Sequence, residues 1–303
     1  MTTGTSILAS QFVTIQDKAQ LLLGTGSGTR GYGQAIQSSD VFTGNNITKA
    51  QWDALRYDII NIRLHQDGIP PNIVTVNVGD VINYGAGAPN TNYDTLLEQA
   101  SANRFRIDGS QSIITAKSTV SYSSSWTSQA QAVLTCTFSN SNEARYFFNS
   151  GGKIRINTTL TGGSSTSQVN AWKNFLTSVG TKSFGADTES VTYYTLTNSY
   201  QIFYQSSLST PYSANNYRLE ARTDVANNST GTATQLQIRI TLTDAYVDPA
   251  TAPHTPGTIP PIDTVNGTLS IDVSELKAFG TMIPSGTFTV TSPTFSLSSI
   301  TAS

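Results

Sequence analysis

Gln235-Leu236-Gln237-Ile238-Arg239-Ile240-Thr241-Leu242 alternates polar and apolar side chains over eight positions without a break. Successive side chains of a strand point to opposite faces, so this period buries Leu236, Ile238, Ile240 and Leu242 and wets the other face. Such a strand belongs to an antiparallel sheet with one covered side. Lys153-Ile154-Arg155-Ile156-Asn157 repeats the pattern. Segments of the same grammar, rich in Thr, Val, Ile and Tyr, recur at Ser112–Tyr122, Ala130–Phe138, Lys153–Leu160, Val191–Leu196, Gln201–Tyr204, Tyr217–Thr223, Gln235–Thr243, Thr268–Val273 and Thr287–Leu297. Turn clusters such as Asn149-Ser150-Gly151-Gly152 separate them. The reading is a mainly β chain, an antiparallel β-sandwich over residues 110–303. It carries two helical insertions. Asn140 to Glu143 opens a short one through Phe148, and Gln168–Val179 forms a second, ending at Gly180.

Residues 1–109 read differently, as an N-terminal helical and extended docking region. Phe12, Ile15, Ala19, Leu22 and Leu23 follow a 3.6-residue period, with Gly24 at the stop. Thr48 and Gln51 form a capping box, with Ile47 and Trp52 as the two ends of a hydrophobic staple. Trp52, Leu55, Ile59 and Ile62 make one stripe, ended by Gly68, Pro70 and Pro71. A third helix is expected from about Asn92 to Asn103, and a short strand over Ile73–Val78. The first two helices align residue for residue, Phe12 with Trp52 and Leu22 with Ile62. Either a degenerate repeat or two independent amphipathic helices gives that pattern. Residues 249–261, rich in Pro, Thr and Ala, read as a long loop within the sandwich rather than a linker.

Composition narrows the function. The chain has 303 residues, net charge -2 and only 12% charged side chains, but 37 Ser and 44 Thr. Clustered Lys and Arg for a nucleic-acid groove are lacking. One Cys and two His cannot build an intramolecular disulfide framework or a structural zinc site. No long apolar run or charged leader is seen, so the expectation is a soluble protein with no membrane partner and no cofactor.

Gly26-x-Gly28-x-x-Gly31 is a literal dinucleotide fingerprint. That chemistry needs a strand before the loop and a helix after it. Here a helix precedes and a coil follows, so the 24–37 stretch is expected to be an extended connector or a loop lying against a neighbouring subunit, with Tyr32 and Gln34 as candidate contacts. His65 is expected to cap the carbonyl end of the second helix. Cys136, in a strand, reads as a buried hydrophobe. Asp244 and Asp248 read as solvated turn residues, and His254 as a solvated loop residue. Arg145 with Tyr146, Phe147 and Phe148 reads equally as an intersubunit anchor or as core aromatics beside an Arg whose head reaches out. These four residues, with Tyr32 and Gln34, are the candidate interface. No catalytic or metal-ligating set is found.

Gly24-Thr-Gly-Ser-Gly28, Gly31-Tyr-Gly-Gln34, Ile47-Thr48 with Gln51-Trp52, and His65-Gln66 with Gly68 resemble the opening of virion structural proteins of tailed bacteriophages. The type is that of myophages infecting cyanobacteria and marine bacteria. Ala144 through Arg155, Trp172 with Phe175-Leu176 and Val179-Gly180 resemble the middle block of those proteins, and Thr243-Asp244 and Val265 with Gly267-Thr-Leu269 their closing strands. The resemblance implies a non-enzymatic virion component in the neck, tail or an attached fibre, made in the host cytoplasm. Its implied partners are other virion proteins and copies of itself. A head decoration protein, or a receptor- or carbohydrate-binding module meeting a host-surface glycan, is the alternative.

Overall fold

The computed structural model describes residues 9–42, 46–73, 75, 77, 92–246 and 264–303. Among them are five α-helices and eleven strands. The helices α1 (Ala9–Leu23), α2 (Lys49–Asp67) and α3 (Tyr93–Ala102) pack against one another pairwise. Their entry and exit follow the local chemistry. Thr48 and Gln51 close the capping box of α2, and Gly68 ends it in a left-handed conformation at φ 72°. Asn92 caps α3 by accepting from the Thr95 amide. The aligned pairs Phe12/Trp52, Ile15/Leu55 and Leu22/Ile62 are all buried. Phe12 meets Trp52 edge-on at 5.2 Å, and Trp52 meets Tyr93 at 5.4 Å.

The remainder is two antiparallel sheets packed face to face. The first has the order β1 (Ser112–Tyr122), β8 (Thr268–Thr281), β3 (Lys153–Thr161), β4 (Lys182–Phe184), with β9 (Thr287–Thr289) also pairing β8. The second runs β10 (Thr294–Leu297), β2 (Gln129–Thr137), β7 (Gln235–Thr243), β6 (Asn216–Thr223), β5 (Gln201–Ser207), with β11 (Thr301–Ala302) also on β2. Alternation decides the inner faces. Ile154, Ile156 and Ile271 from one sheet and Leu219, Ile238 and Ile240 from the other are buried between them. Thr158 and Tyr217 bridge the sheets through their hydroxyls at 2.9 Å. A register shift between Ala116 and Ser118 bulges β1, and Lys117 pairs at 2.8 Å with the buried Glu275 carboxylate.

The two insertions close opposite ends of the sandwich. Helix α4 (Ser141–Asn149) joins β2 to the start of β3, and α5 (Ser167–Val179) leaves from the end of β3. On α5, Trp172 packs edge-on against Trp126, and Gln168 donates to both oxygens of Asp244 at 2.8 and 2.9 Å. Asp244 is therefore buried and anchors α5, where a solvated turn residue was expected.

Other expectations need correction. Val191–Leu196 holds a 3-10 turn over Tyr193–Thr195, because Tyr193 and Tyr194 are both buried and adjacent strand residues cannot share one face. The single strand expected over 287–297 is two, interrupted at Pro293. Pro lacks the N–H a ladder needs, and β9 and β10 join different sheets. Strand β8 runs longer than expected, to Thr281. The strand expected over 73–78 falls mostly outside the described residues, as do the 249–261 loop, Asp248 and His254.

The overhang of β8 and β9 locks the helices to the sandwich. Asn61 on α2 donates to the Ile283 carbonyl (2.9 Å) and accepts from its amide (2.7 Å). Gln34 does the same to Thr289, at 2.8 and 3.3 Å. Each side-chain amide imitates a strand neighbour. Phe288 of β9 lies flat on the His65 ring at 4.1 Å.

Candidate functional site

The sequence-predicted residues converge where the glycine loop, α4 and β9 meet. Residues 24–34 have no regular structure, but they are not an extended arm. Gly33 donates to the Gly24 carbonyl at 2.8 Å, and Tyr32 and Gln34 donate to Leu22 and Leu23, so the stretch curls back on the end of α1. Gly26, Gly28, Gly31 and Gly33 all have positive φ. At Gly33 a Cβ would also sit 2.4 Å from the Tyr146 ring.

The curl turns carbonyls inward. Arg145 Nε donates to Gly28 (3.1 Å), and Nη2 donates to Thr25 (3.2 Å) and Arg30 (2.9 Å), while Nη1 reaches Asn142 at 2.8 Å. Asn149 Nδ2 donates to Gly28 and Gly31, and the Tyr194 hydroxyl to Gly28. A phosphate-binding loop presents backbone N–H groups to an anion. This one presents C=O groups to a guanidinium, which is the opposite polarity. The Gly-x-Gly-x-x-Gly spacing here serves close turns around a cation of the same chain.

Of the candidate interface residues, Phe147 and Phe148 are fully buried, Arg145 is nearly so, and Tyr32 lies beneath the loop. The Tyr32 hydroxyl donates to the Arg104 carbonyl and accepts from Gln66. Burial pushes this phenol's pKa up. These four therefore make their contacts within the chain. Phe147 and Phe148 are core aromatics, while the Arg145 head turns inward to the loop carbonyls and does not reach out to solvent. Tyr146 and Gln34 stay half-buried. They line a depression of about 300 Å³ with Gly33, Glu143, Thr289 and Val290. It offers a phenol, a carboxylate and strand backbone, a surface suited to contact. Asn149 and Tyr194 complete the loop's hydrogen bonding without any periodic signal that would have singled them out.

His65 does not cap α2, which Gly68 ends. Its Nε2 donates to the Ser150 carbonyl at 3.0 Å, and Nδ1 is buried without a partner. Burial lowers its pKa from 6.5 to about 4, and the bond to Ser150 offsets this only in part. The unfolded chain therefore takes up a proton below pH about 6.5 that the folded chain refuses until about 4. Stability is full above that window and falls by about 3 kcal/mol across it as pH drops. Asp58 acts in the opposite sense, since burial raises its carboxyl pKa above 3.8. Urea unfolding through this pH range should show the loss, and His65→Gln should flatten it. Cys136 is buried among core residues, and burial pushes its thiol pKa up, away from nucleophilic use.

No protein-family model matches the chain, and neither a curated protein nor a solved structure matches it. Among the described residues no group of three or more His, Cys, Asp or Glu side chains is placed to hold a metal ion, and no helix is long and apolar enough to cross a membrane.

Proposed function

We propose that this chain is a non-enzymatic structural component of a tailed-phage virion, in the neck, tail or an attached fibre, working through contacts with other virion proteins and with copies of itself. The observation that carries the reading is an exposed apolar pair, Ile113 and Phe279, on one face of a sheet edge. Strand β1 lies at the edge of its sheet. Ile113 at its start is 40% exposed and shares a face with Phe279 of neighbouring β8, which is 50% exposed, while Ile114, 55% exposed, lies on the opposite face. Apolar side chains beside unpaired strand edges favour association. The bulge at Lys117 blunts the second half of β1 and leaves the first half as the contact. The resemblance in the glycine loop and around Ala144 to Arg155 supports the same reading. So does the clamped joint between helices and sandwich, which suits a part that keeps its shape under load.

Sedimentation of the purified chain at micromolar concentration should report an oligomer. Ile113→Asp with Phe279→Asp should weaken the association at least about tenfold without lowering the melting temperature. An electron-microscopy map of the intact particle should place the chain in the neck, tail or a fibre. A chain that stays monomeric and is absent from the particle overturns the proposal.

A further inference from the structure

The outer face of the second sheet carries a concentration of cationic groups in an otherwise acidic chain. Strand β6 alternates Arg218, Glu220 and Arg222 outward against Tyr217, Leu219 and Ala221 inward, and Arg239 of β7 lies opposite Glu220. Glu220 is the one acid among the outward positions of β2, β5, β6 and β7. Three guanidiniums against one carboxylate leave this face with two net positive charges, while the whole chain carries -2.

How these arginines are held is informative. Arg239 Nε donates to Glu220 at 2.7 Å, Arg222 Nε donates to Gln237 at 2.9 Å, and Arg218 Nε lies 3.4 Å from Glu220. Arg222 and Arg239 both lie over the Tyr200 ring, at 4.5 and 4.2 Å from its centre. The inner nitrogen fixes Arg222 and Arg239, while Arg218 is held near Glu220 by charge alone. No terminal nitrogen of the three hydrogen-bonds another described residue. Arg218 and Arg239 keep 35% and 29% of their side chains exposed. The face thus presents pre-oriented guanidinium edges, the geometry that takes a carboxylate in two parallel bonds.

We infer that this face binds an acidic polysaccharide through its carboxylates. Arg218 and Arg222 are four strand residues apart, about 13 Å along β6. That sparse spacing suits a polymer with a charge on some of its sugar units. It does not suit duplex nucleic acid, which carries one charge per ~1.7 Å. Between and beside the arginines lie the half-buried Gln131, Thr135 and Gln237, amides and a hydroxyl of the kind that sugar hydroxyls pair with. Gln131 also lines a cleft of about 140 Å³ with Gln129 and Thr301 at the same face. The inference goes beyond the virion proposal and holds wherever the chain sits.

The test uses the full chain and a polyuronate, with neutral dextran and duplex DNA as comparison probes. Affinity electrophoresis should show retention by the polyuronate that weakens as salt rises, and none by dextran. Arg218→Gln with Arg222→Gln should weaken binding at least about tenfold. Arg239 stays paired with Glu220 in that variant, so the melting temperature should not move. No retention at low salt overturns the inference. So does equal retention by dextran, tighter binding of DNA, or a double variant that binds like the parent.

Discussion

Phe148→Ala is expected to lower the unfolding free energy by about 3–5 kcal/mol. Phe148 is fully buried and stacks on Tyr193 at 4.1 Å, with Phe147, Phe138 and Phe184 ranged around it at 5.1, 5.7 and 6.5 Å. Its removal opens a cavity where α4, the 3-10 turn and the sandwich end meet. The surrounding rings belong to separate elements and cannot all move in to fill it. The neighbours differ in how they face. Phe147 is also fully buried but Tyr146 is half-exposed, because three consecutive helical residues point about 100° apart. Tyr146→Ala should therefore cost much less than Phe148→Ala. Denaturant unfolding of the two variants checks both the magnitude and the order. Equal small losses would mean that the ring cluster does not stabilise the sandwich end.

Arg145→Met should cost about 2–3 kcal/mol by a different route. Methionine keeps the aliphatic bulk but deletes four donated bonds. The part-buried carbonyls of Thr25 and Arg30 then lose their guanidinium partner, at about 1–2 kcal/mol for each charge-assisted bond lost. Gly28 keeps Asn149 and Tyr194, so its loss is smaller. Arg145→Lys should recover less than half, since one ammonium cannot span carbonyls arranged for a planar fork. The loop should also open locally before the whole chain unfolds. Hydrogen exchange at the Tyr32, Gly33 and Gln34 amides, which bond back to Leu22, Gly24 and Leu23, reads that directly. Unchanged protection there, with unchanged stability, would remove Arg145 as the organiser of the loop.

Much of the fold was legible in the sequence because it rests on local period. The strict alternation over 235–242 became the fully paired centre of the second sheet, with each apolar residue inward. The capping box at Thr48, the glycine stop at Gly68 and the start of α4 at Asn140 depend on residues three or four positions apart, within reach of local rules. Alternation also exposed one face of β6 and β7 to water. The pairing of Arg239 with Glu220 across those strands needed the register, which turn spacing alone did not supply.

What the sequence by itself determined was element type and the inward side of each strand, since side-chain period and caps act over a few residues. The tertiary structure alone decided the fate of the glycine loop, because the same glycines suit an anion or a cation until the direction of their carbonyls is known. It alone decided that Gln34 would clamp Thr289, 255 positions away. It also decided that His65 would lie under Phe288 and that β9 and β10 would part to different sheets. Each of these is a contact between residues far apart in the chain. Its free energy depends on which surfaces meet, and no local pattern carries that information.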